Sequence, residues 1–203
     1  MKLEAPFRPA TRADCYRIAE LFRICSGGVA DYVWSTMADE YPGLSLTEIG
    51  ARRYAREDIP FSYRNCVVAE VGGEVVGMLV AFPIAVPAPD AREPDARAEG
   101  APDRPDVLAP YGELEVPGSY YVCGMAVLPG HRNRGLGTRL LAIAQAEARA
   151  RGLETLSLLA FEQNRDAVRL YERNGFVVVD RRPVVPHELI HYTGDALLMV
   201  AHA

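Results

Sequence analysis

The run Met125-Ala-Val-Leu-Pro-Gly-His-Arg-Asn-Arg-Gly-Leu-Gly-Thr138 decides how this chain is read. It begins apolar and turns at Pro129-Gly130. It then sets Arg132-x-x-Gly135-x-Gly137 at the head of a segment whose Leu136, Leu140, Ile143 and Ala144 fall on one helical face. The order is strand, glycine-bearing loop, helix N-terminus. The first turn of a helix leaves backbone N–H groups unpaired at the positive end of the dipole. Glycines there let an anion come close to the main chain. The segment reads as a pyrophosphate cradle, with a tight strand-to-helix turn as the plainer alternative. It is neither Gly-x-Gly-x-x-Gly nor a Walker loop.

Downstream, Leu156–Ala160 is a strand pattern. Asn164-x-x-Ala167-x-x-x-Tyr171-x-x-x-Gly175-Phe176 then places positions 164, 167 and 171 on one helix face. Asn164 fits an N-cap, and Tyr171 fits a buried aromatic, when each is taken alone. Gly175 closes the helix, and Phe176–Asp180 and Ala196–Ala201 are the last strands. Upstream, Tyr120–Leu128 is a strand whose lone Gly124 signals a bulge or a close backbone approach. Asn65–Val71 and Glu74–Phe82 form a hairpin across Gly72-Gly73. Phe7–Pro9 is a short strand. Helices are expected from the Thr11–Asp14 box to Cys25, over Asp31–Met37, and from the Ser45–Glu48 capping box to Glu57.

Between the hairpin and the strand at 120 lies an excursion, 83–117, with eight acids, three bases and eight of the fifteen prolines. It carries the whole net charge of −5, leaving the remainder formally neutral. It is expected to be mostly irregular, a loop within one domain spanning 1–203. The acidic balance argues against a nucleic-acid partner. No run of roughly 18 apolar residues suggests a membrane span. Cys15, Cys25, Cys66 and Cys123 are scattered without ligand spacing, so no metal site is expected, and free thiols in a cytoplasmic protein are.

The two motifs together, Arg132-x-x-Gly135-x-Gly137 and Asn164 through Phe176, with the Val127-x-Pro129 lead-in, resemble the GNAT superfamily of acetyl-CoA-dependent N-acetyltransferases. The specific likeness covers about residues 119–177. It implies an α+β fold with a mixed, mostly antiparallel sheet of six to seven strands, a splayed parallel pair (119–128 and 155–160), and flanking helices. It implies acetyl-CoA as cofactor and direct acetyl transfer to a primary amine in a ternary complex. The acceptor would be a small molecule or a peptide, and a homodimer paired through the edge at Ala196–Ala201 is one arrangement. Two other readings stand beside it: a non-enzymatic acyl-CoA sensor on the same fold, and an acyltransferase using another acyl-CoA.

The resemblance also implies site residues. Met125, Ala126 and Val127 would pair with the pantetheine arm, with the Met125 amide as oxyanion donor. Arg132, Asn133, Arg134, Gly135, Leu136, Gly137 and Thr138 would hold the pyrophosphate. Asn164, Ala167 and Tyr171 would line the opposite wall, with Tyr171 as general acid to the leaving thiolate. Family members often carry Glu or His on the strand entering the cleft, where this chain has Tyr121 and Cys123. Glu115 is a candidate base, Tyr121 a candidate water relay, and a covalent acyl-Cys123 route an alternative to direct attack. Asp31, Tyr32, Trp34 and the acidic excursion are candidates to meet the amine.

Overall fold

The hairpin across Gly72-Gly73 seeds a seven-stranded sheet, β1-β2-β3-β4-β5-β7-β6 in spatial order, in a computed structural model that describes residues 3–87 and 106–203. The strands are β1 (Phe7–Pro9), β2 (Cys66–Val71), β3 (Glu74–Pro83), β4 (Tyr120–Val127), β5 (Thr155–Phe161), β6 (Val177–Pro183) and β7 (Asp195–His202). Every neighbouring pair is antiparallel except β4 and β5. The helices are α1 (Cys15–Cys25), α2 (Val29–Ser35), α3 (Leu46–Tyr54), α4 (Ala109–Glu113), α5 (Leu136–Ala150) and α6 (Arg165–Arg173).

Two cores cover the two faces of the sheet. On one, Leu136, Leu140, Leu141, Ala144 and Ala148 of α5 pack with β4, β5 and β7. On the other, Ile18, Leu21 and Phe22 of α1 meet Ile49 and Tyr54 of α3 over β2 and β3. Each such leucine or isoleucine withdraws enough apolar surface to favour folding by about 2 kcal/mol. α1 starts beside an ion-paired cap, in which Asp14 accepts from the Thr11 N–H and from both Arg8 Nη atoms at 2.7–2.9 Å. α3 starts with the reciprocal Ser45–Glu48 box.

β4 and β5 pair only over Tyr120–Val122 and Leu156–Leu158. Below that, a buried Ser119–Ser157 hydroxyl bond of 2.6 Å ties the strand starts together. Above it the strands part. Cys123 is the extra residue of a bulge against β3, because Ala81 pairs with Val122 and Val80 with Gly124. A bulge sharpens local twist, which carries β4 away from β5. Gly124 has a second reason to be glycine: a Cβ there would lie 2.5 Å from Phe22 Cε2.

Two expectations need correction. α3 stops at Tyr54, short of Glu57, because the chain turns at Ala55 before Pro60 is reached. The Ala196–Ala201 run is not an edge: β7 is paired on both sides, and β6 closes the sheet with Val177, Val178 and Val179 exposed. The excursion, expected to be mostly irregular, has one ordered part. Its residues 88–105 lie outside the described residues, but Val107–Glu113 folds into a turn and α4. Its buried Leu114 and half-buried Tyr111 and Val116 pack with Phe161, Val184 and Leu198, enough apolar contact to order a short segment. Arg182 also pairs with Glu113 at 2.8 Å.

Candidate active site

The splay opens a cleft of about 670 Å³ between β4, the head of α5 and α6. Once β5 has parted, the β4 edge from Gly124 to Val127 has no strand beside it on that side. Its outward-facing peptide groups, those of Met125 and Val127, can meet an extended amide-bearing arm. The Val127 carbonyl is an exception, since Arg132 Nε donates to it at 3.0 Å.

The loop into α5 is built for an anion. Asn133 takes φ +59° and is the lone non-glycine residue at positive φ among those described. Gly135 follows at φ +77°, and α5 begins without a side-chain cap. A fifteen-residue helix with an uncapped first turn concentrates positive potential where its N–H groups point. His131, Arg132, Arg169 and Arg173 line the same cleft. Arg169 and Arg173 escaped the motif reading because nothing but their helical phase marks them. Gly137 serves packing: a Cβ there would sit 3.0 Å from Leu170 Cδ2, so its absence lets α6 close on α5.

Of the residues singled out from sequence, Met125, Ala126, Val127, Arg132, Asn133, Gly135, Leu136, Gly137, Thr138, Asn164, Ala167 and Tyr171 line this cleft. Arg134 does not; it is exposed. Asn164 is also the α6 N-cap, its Oδ1 accepting from the Ala167 N–H at 3.4 Å. Tyr171 is 8% exposed, and its hydroxyl donates to no described residue. Burial raises its phenol above the ordinary value, and the nearby Cys25 adds to the rise.

A second cavity, about 780 Å³, lies on the other side of the splay. Glu115, Tyr121, Cys123 and Trp34 line it. Tyr121 lies 5.8 Å, centroid to centroid, from Phe82. Burial holds its phenol well above 10, helped by Cys123, Glu115, Tyr171 and Cys25. Glu115 is exposed at the rim and makes no ion pair among the described residues. Trp34 packs so closely on Gly50 that a Cβ there would be 2.5 Å from Cη2. Asp31 and Tyr32 do not line the cavity. Asp31 is held by Arg23 at 2.6 Å, and Tyr32 lies edge-on to His187 at 4.7 Å. One-turn helical phase turns 31 and 32 away from the wall that 30, 33 and 34 supply.

Cys25 is the residue common to both cavities. Burial pushes its thiol up to about 12, while the nearby Met125 backbone N–H pulls the other way. Burial also raises Cys15, Cys66 and Cys123. Thiols held protonated are poor nucleophiles, which weighs against a covalent acyl-Cys123 route. No spacing in the chain singles out Cys25, because its role depends on α1 crossing β4 at Gly124.

No curated protein sequence matches the chain. The profile of the Acetyltransferase (GNAT) family matches residues 30–176. Among solved structures, one described as an acetyltransferase aligns with TM-score 0.62 at 20% identity, covering 97% of this chain and 98% of that one. An N-acetyltransferase from Staphylococcus aureus Mu50 aligns with TM-score 0.62 at 16% identity, covering 97% and 100%. Ard1 from Thermoplasma volcanium aligns with TM-score 0.58 at 15% identity, covering 97% and 96%. At such identities the likeness is one of fold. Among the described residues no helix is long and apolar enough to cross a membrane.

Proposed function

The chain belongs to the GNAT acetyltransferase family, and from that premise we propose that it transfers acetyl from acetyl-CoA to a primary amine by direct attack, the two substrates meeting at Cys25. The observation that carries this is the pair of cavities, one anion-binding and one apolar, sharing a wall at Cys25 in the splay of β4 and β5. A module that only sensed acyl-CoA would have no need of the second cavity.

The cleft suits acetyl-CoA on its own features: an uncapped α5 head, four basic side chains, and a strand edge left open. When bound, acetyl-CoA supplies an acyl group activated as a thioester. The N–H groups from Arg132 to Thr138 hold the pyrophosphate, with the Thr138 hydroxyl as a further donor. Met125 and Val127 turn peptide groups to the open side for the pantetheine arm, while Ala126 faces β3. The Met125 N–H, on the edge that β5 leaves open, is the donor for the charge that grows on the carbonyl oxygen.

An amine arrives as its ammonium. Glu115 at the rim takes one proton, directly or through water relayed past Tyr121. The nitrogen forms its bond to the acyl carbon as the carbon–sulfur bond breaks, and a second proton leaves the nitrogen. Tyr171 gives its proton to the departing sulfur and recovers one from solvent, so the overall release is one proton. A phenol raised by burial is a weaker acid, but the same dry site raises the thiol, so position governs the transfer.

The test is a thermal-shift titration with CoA and acetyl-CoA, followed by free-thiol release from acetyl-CoA over an amine panel. Stabilisation and amine-dependent release are expected. A protein that acetyl-CoA does not stabilise cannot work this way.

A further inference from the structure

The acceptor cavity carries polar groups that its own walls leave unanswered. Its body is aromatic: Phe22 lies 6.2 Å from Phe61, Phe61 5.5 Å from Phe82, and Phe82 5.8 Å from Tyr121. Into this setting come two phenols, Tyr54 and Tyr111, both lining the cavity. Their hydroxyls are the two buried side-chain polar atoms that find no hydrogen-bond partner among the described residues. Tyr54 is 1% exposed, so solvent does not readily serve it. A buried hydroxyl without a partner is costly, and such groups in a cavity wall call for a ligand atom.

The charged groups are just as sparse and as suggestive. Arg53 also lines the cavity, beside Tyr54 in sequence. Its Cζ lies 5.9 Å from the Phe61 centroid, and its Nη1 meets Met37 Sδ at 2.9 Å. No carboxylate pairs with it among the described residues, whereas the nearby Arg56 and Arg64 hold Asp58 and Glu57 respectively.

Two rings stand between that guanidinium and the point of transfer: Phe61, and then Phe22, whose edge abuts Gly124 beside Met125. The carboxylate of Glu115, which pairs with no described residue, also lines the cavity and lies near Tyr121. The cavity wall therefore offers a cation beside Phe61, a run of aromatic rings, and a carboxylate near Tyr121.

We propose that the acceptor is a primary amine on an aromatic or similarly bulky apolar body, with an acidic group at the end remote from the amine. Arg53 takes the acid through its planar fork, the aromatic walls take the body, and Tyr54 and Tyr111 bond to polar atoms on it. The amine then lies toward Glu115 and the shared wall at Cys25. This rests on the acetyl-transfer reading and leaves its bond changes as stated: nitrogen–carbon formed, carbon–sulfur broken, one proton released. A polyamine fits poorly, because a second ammonium would be set against apolar walls and Arg53.

The test compares para-(aminomethyl)benzoate, benzylamine and spermidine by thiol release from acetyl-CoA. Binding is read independently, without turnover, from the fluorescence of Trp34, the chain's single tryptophan and part of the cavity wall. The carboxylated amine is expected to exceed benzylamine in kcat/KM by about 10- to 100-fold, the range of a charge-assisted hydrogen bond. Arg53→Gln should close that gap, and Arg53→Lys should restore part of it. A preference for spermidine, or an equal loss for both aryl amines in Arg53→Gln, overturns the assignment. If acetyl-CoA stabilises the protein but the aminomethylbenzoate neither quenches Trp34 nor turns over, the acceptor class falls alone. If acetyl-CoA gives no stabilisation, acetyl transfer falls with it.

Discussion

A side-chain carbon on Gly124 would lie 2.5 Å from Cε2 of Phe22, so the bulged strand and helix α1 meet without room for a methyl group. That contact brings Cys25, at the end of α1, against the Met125 amide and makes it the wall between the two cavities. Gly124→Ala should force the Phe22 ring or α1 outward. The expected cost is about 1–3 kcal/mol of stability, together with a larger loss of turnover than of acetyl-CoA binding. Phe22→Leu in the same chain should recover part of both. Denaturant unfolding and steady-state kinetics on the three variants check this, and a fully stable, fully active Gly124→Ala would show that the junction tolerates displacement.

In the proposed reaction Tyr171 returns a proton to the leaving sulfur. Tyr171→Phe should lower turnover by about 10- to 1,000-fold while acetyl-CoA still binds. Burial keeps the phenol protonated above its ordinary value near 10, so the acid itself should not limit activity between pH 7 and about 10. Turnover equal to that of the unsubstituted chain would remove Tyr171 from the mechanism.

Tyr54→Phe separates stability from binding. Deleting a buried hydroxyl that has no partner among the described residues should stabilise the chain by about 1 kcal/mol. The same deletion should raise KM for a well-bound acceptor by about 10-fold, since the cavity wall then has nothing to offer the ligand there. Melting temperature and KM moving in the same harmful direction would mean that the hydroxyl has an internal role.

Stability toward acid should depend on Asp14. Bonds from Arg8 are the main reason its carboxyl is lowered to about 2 in the folded chain, against an ordinary value near 3.8; bonds from Thr11 assist. The folded state thus binds this proton less readily than the unfolded one. The stabilisation is fully present above about pH 4 and is lost as pH falls toward 2. Two units of depression correspond to roughly 2–3 kcal/mol. Asp14→Asn should lose an amount of that order at pH 7 and flatten the dependence of stability on pH in this window. Urea midpoints from pH 2 to 7 for both chains measure it; parallel curves would rule the pair out.

The cysteines should be silent. Cys25 is held near 12 and burial raises Cys123 well above its ordinary value, so neither should alkylate readily with iodoacetamide at pH 8. Intact-mass spectra taken during turnover should contain no acetylated enzyme. An acetyl-enzyme at Cys123 would replace direct attack with a covalent route.

Local patterning carried much of the fold. The Gly72-Gly73 hairpin, the Ser45–Glu48 box and the one-sided apolar face of α5 all depend on residues close in sequence, and each is found where its pattern lies. The limits lay in segments whose state depends on distant partners. Val107–Glu113 is ordered because Phe161, Val184 and Leu198 are there to receive it, and β7 became interior because it inserts between β5 and β6. The acceptor cavity was barely legible. Its walls come from α1, α2, α3, β3, α4, β4, β5 and β7, and Arg53, Tyr54, Phe61 and Tyr111 share no spacing that would group them.

By itself, the sequence determined the loop and helix head that form one wall of the first cleft. A glycine loop ahead of an amphipathic helix is a local device, and its backbone N–H groups point the same way wherever the helix is placed. Tertiary structure decided the rest. Only the packing of α1 on Gly124 and the parting of β4 from β5 bring Cys25, Met125 and Tyr171 to one place. Only the assembly of distant elements encloses two phenols and a guanidinium in an aromatic cavity. The physical reason is that an anion site can be made from consecutive peptide groups, whereas an apolar cavity needs walls, and walls come from chain segments far apart in sequence.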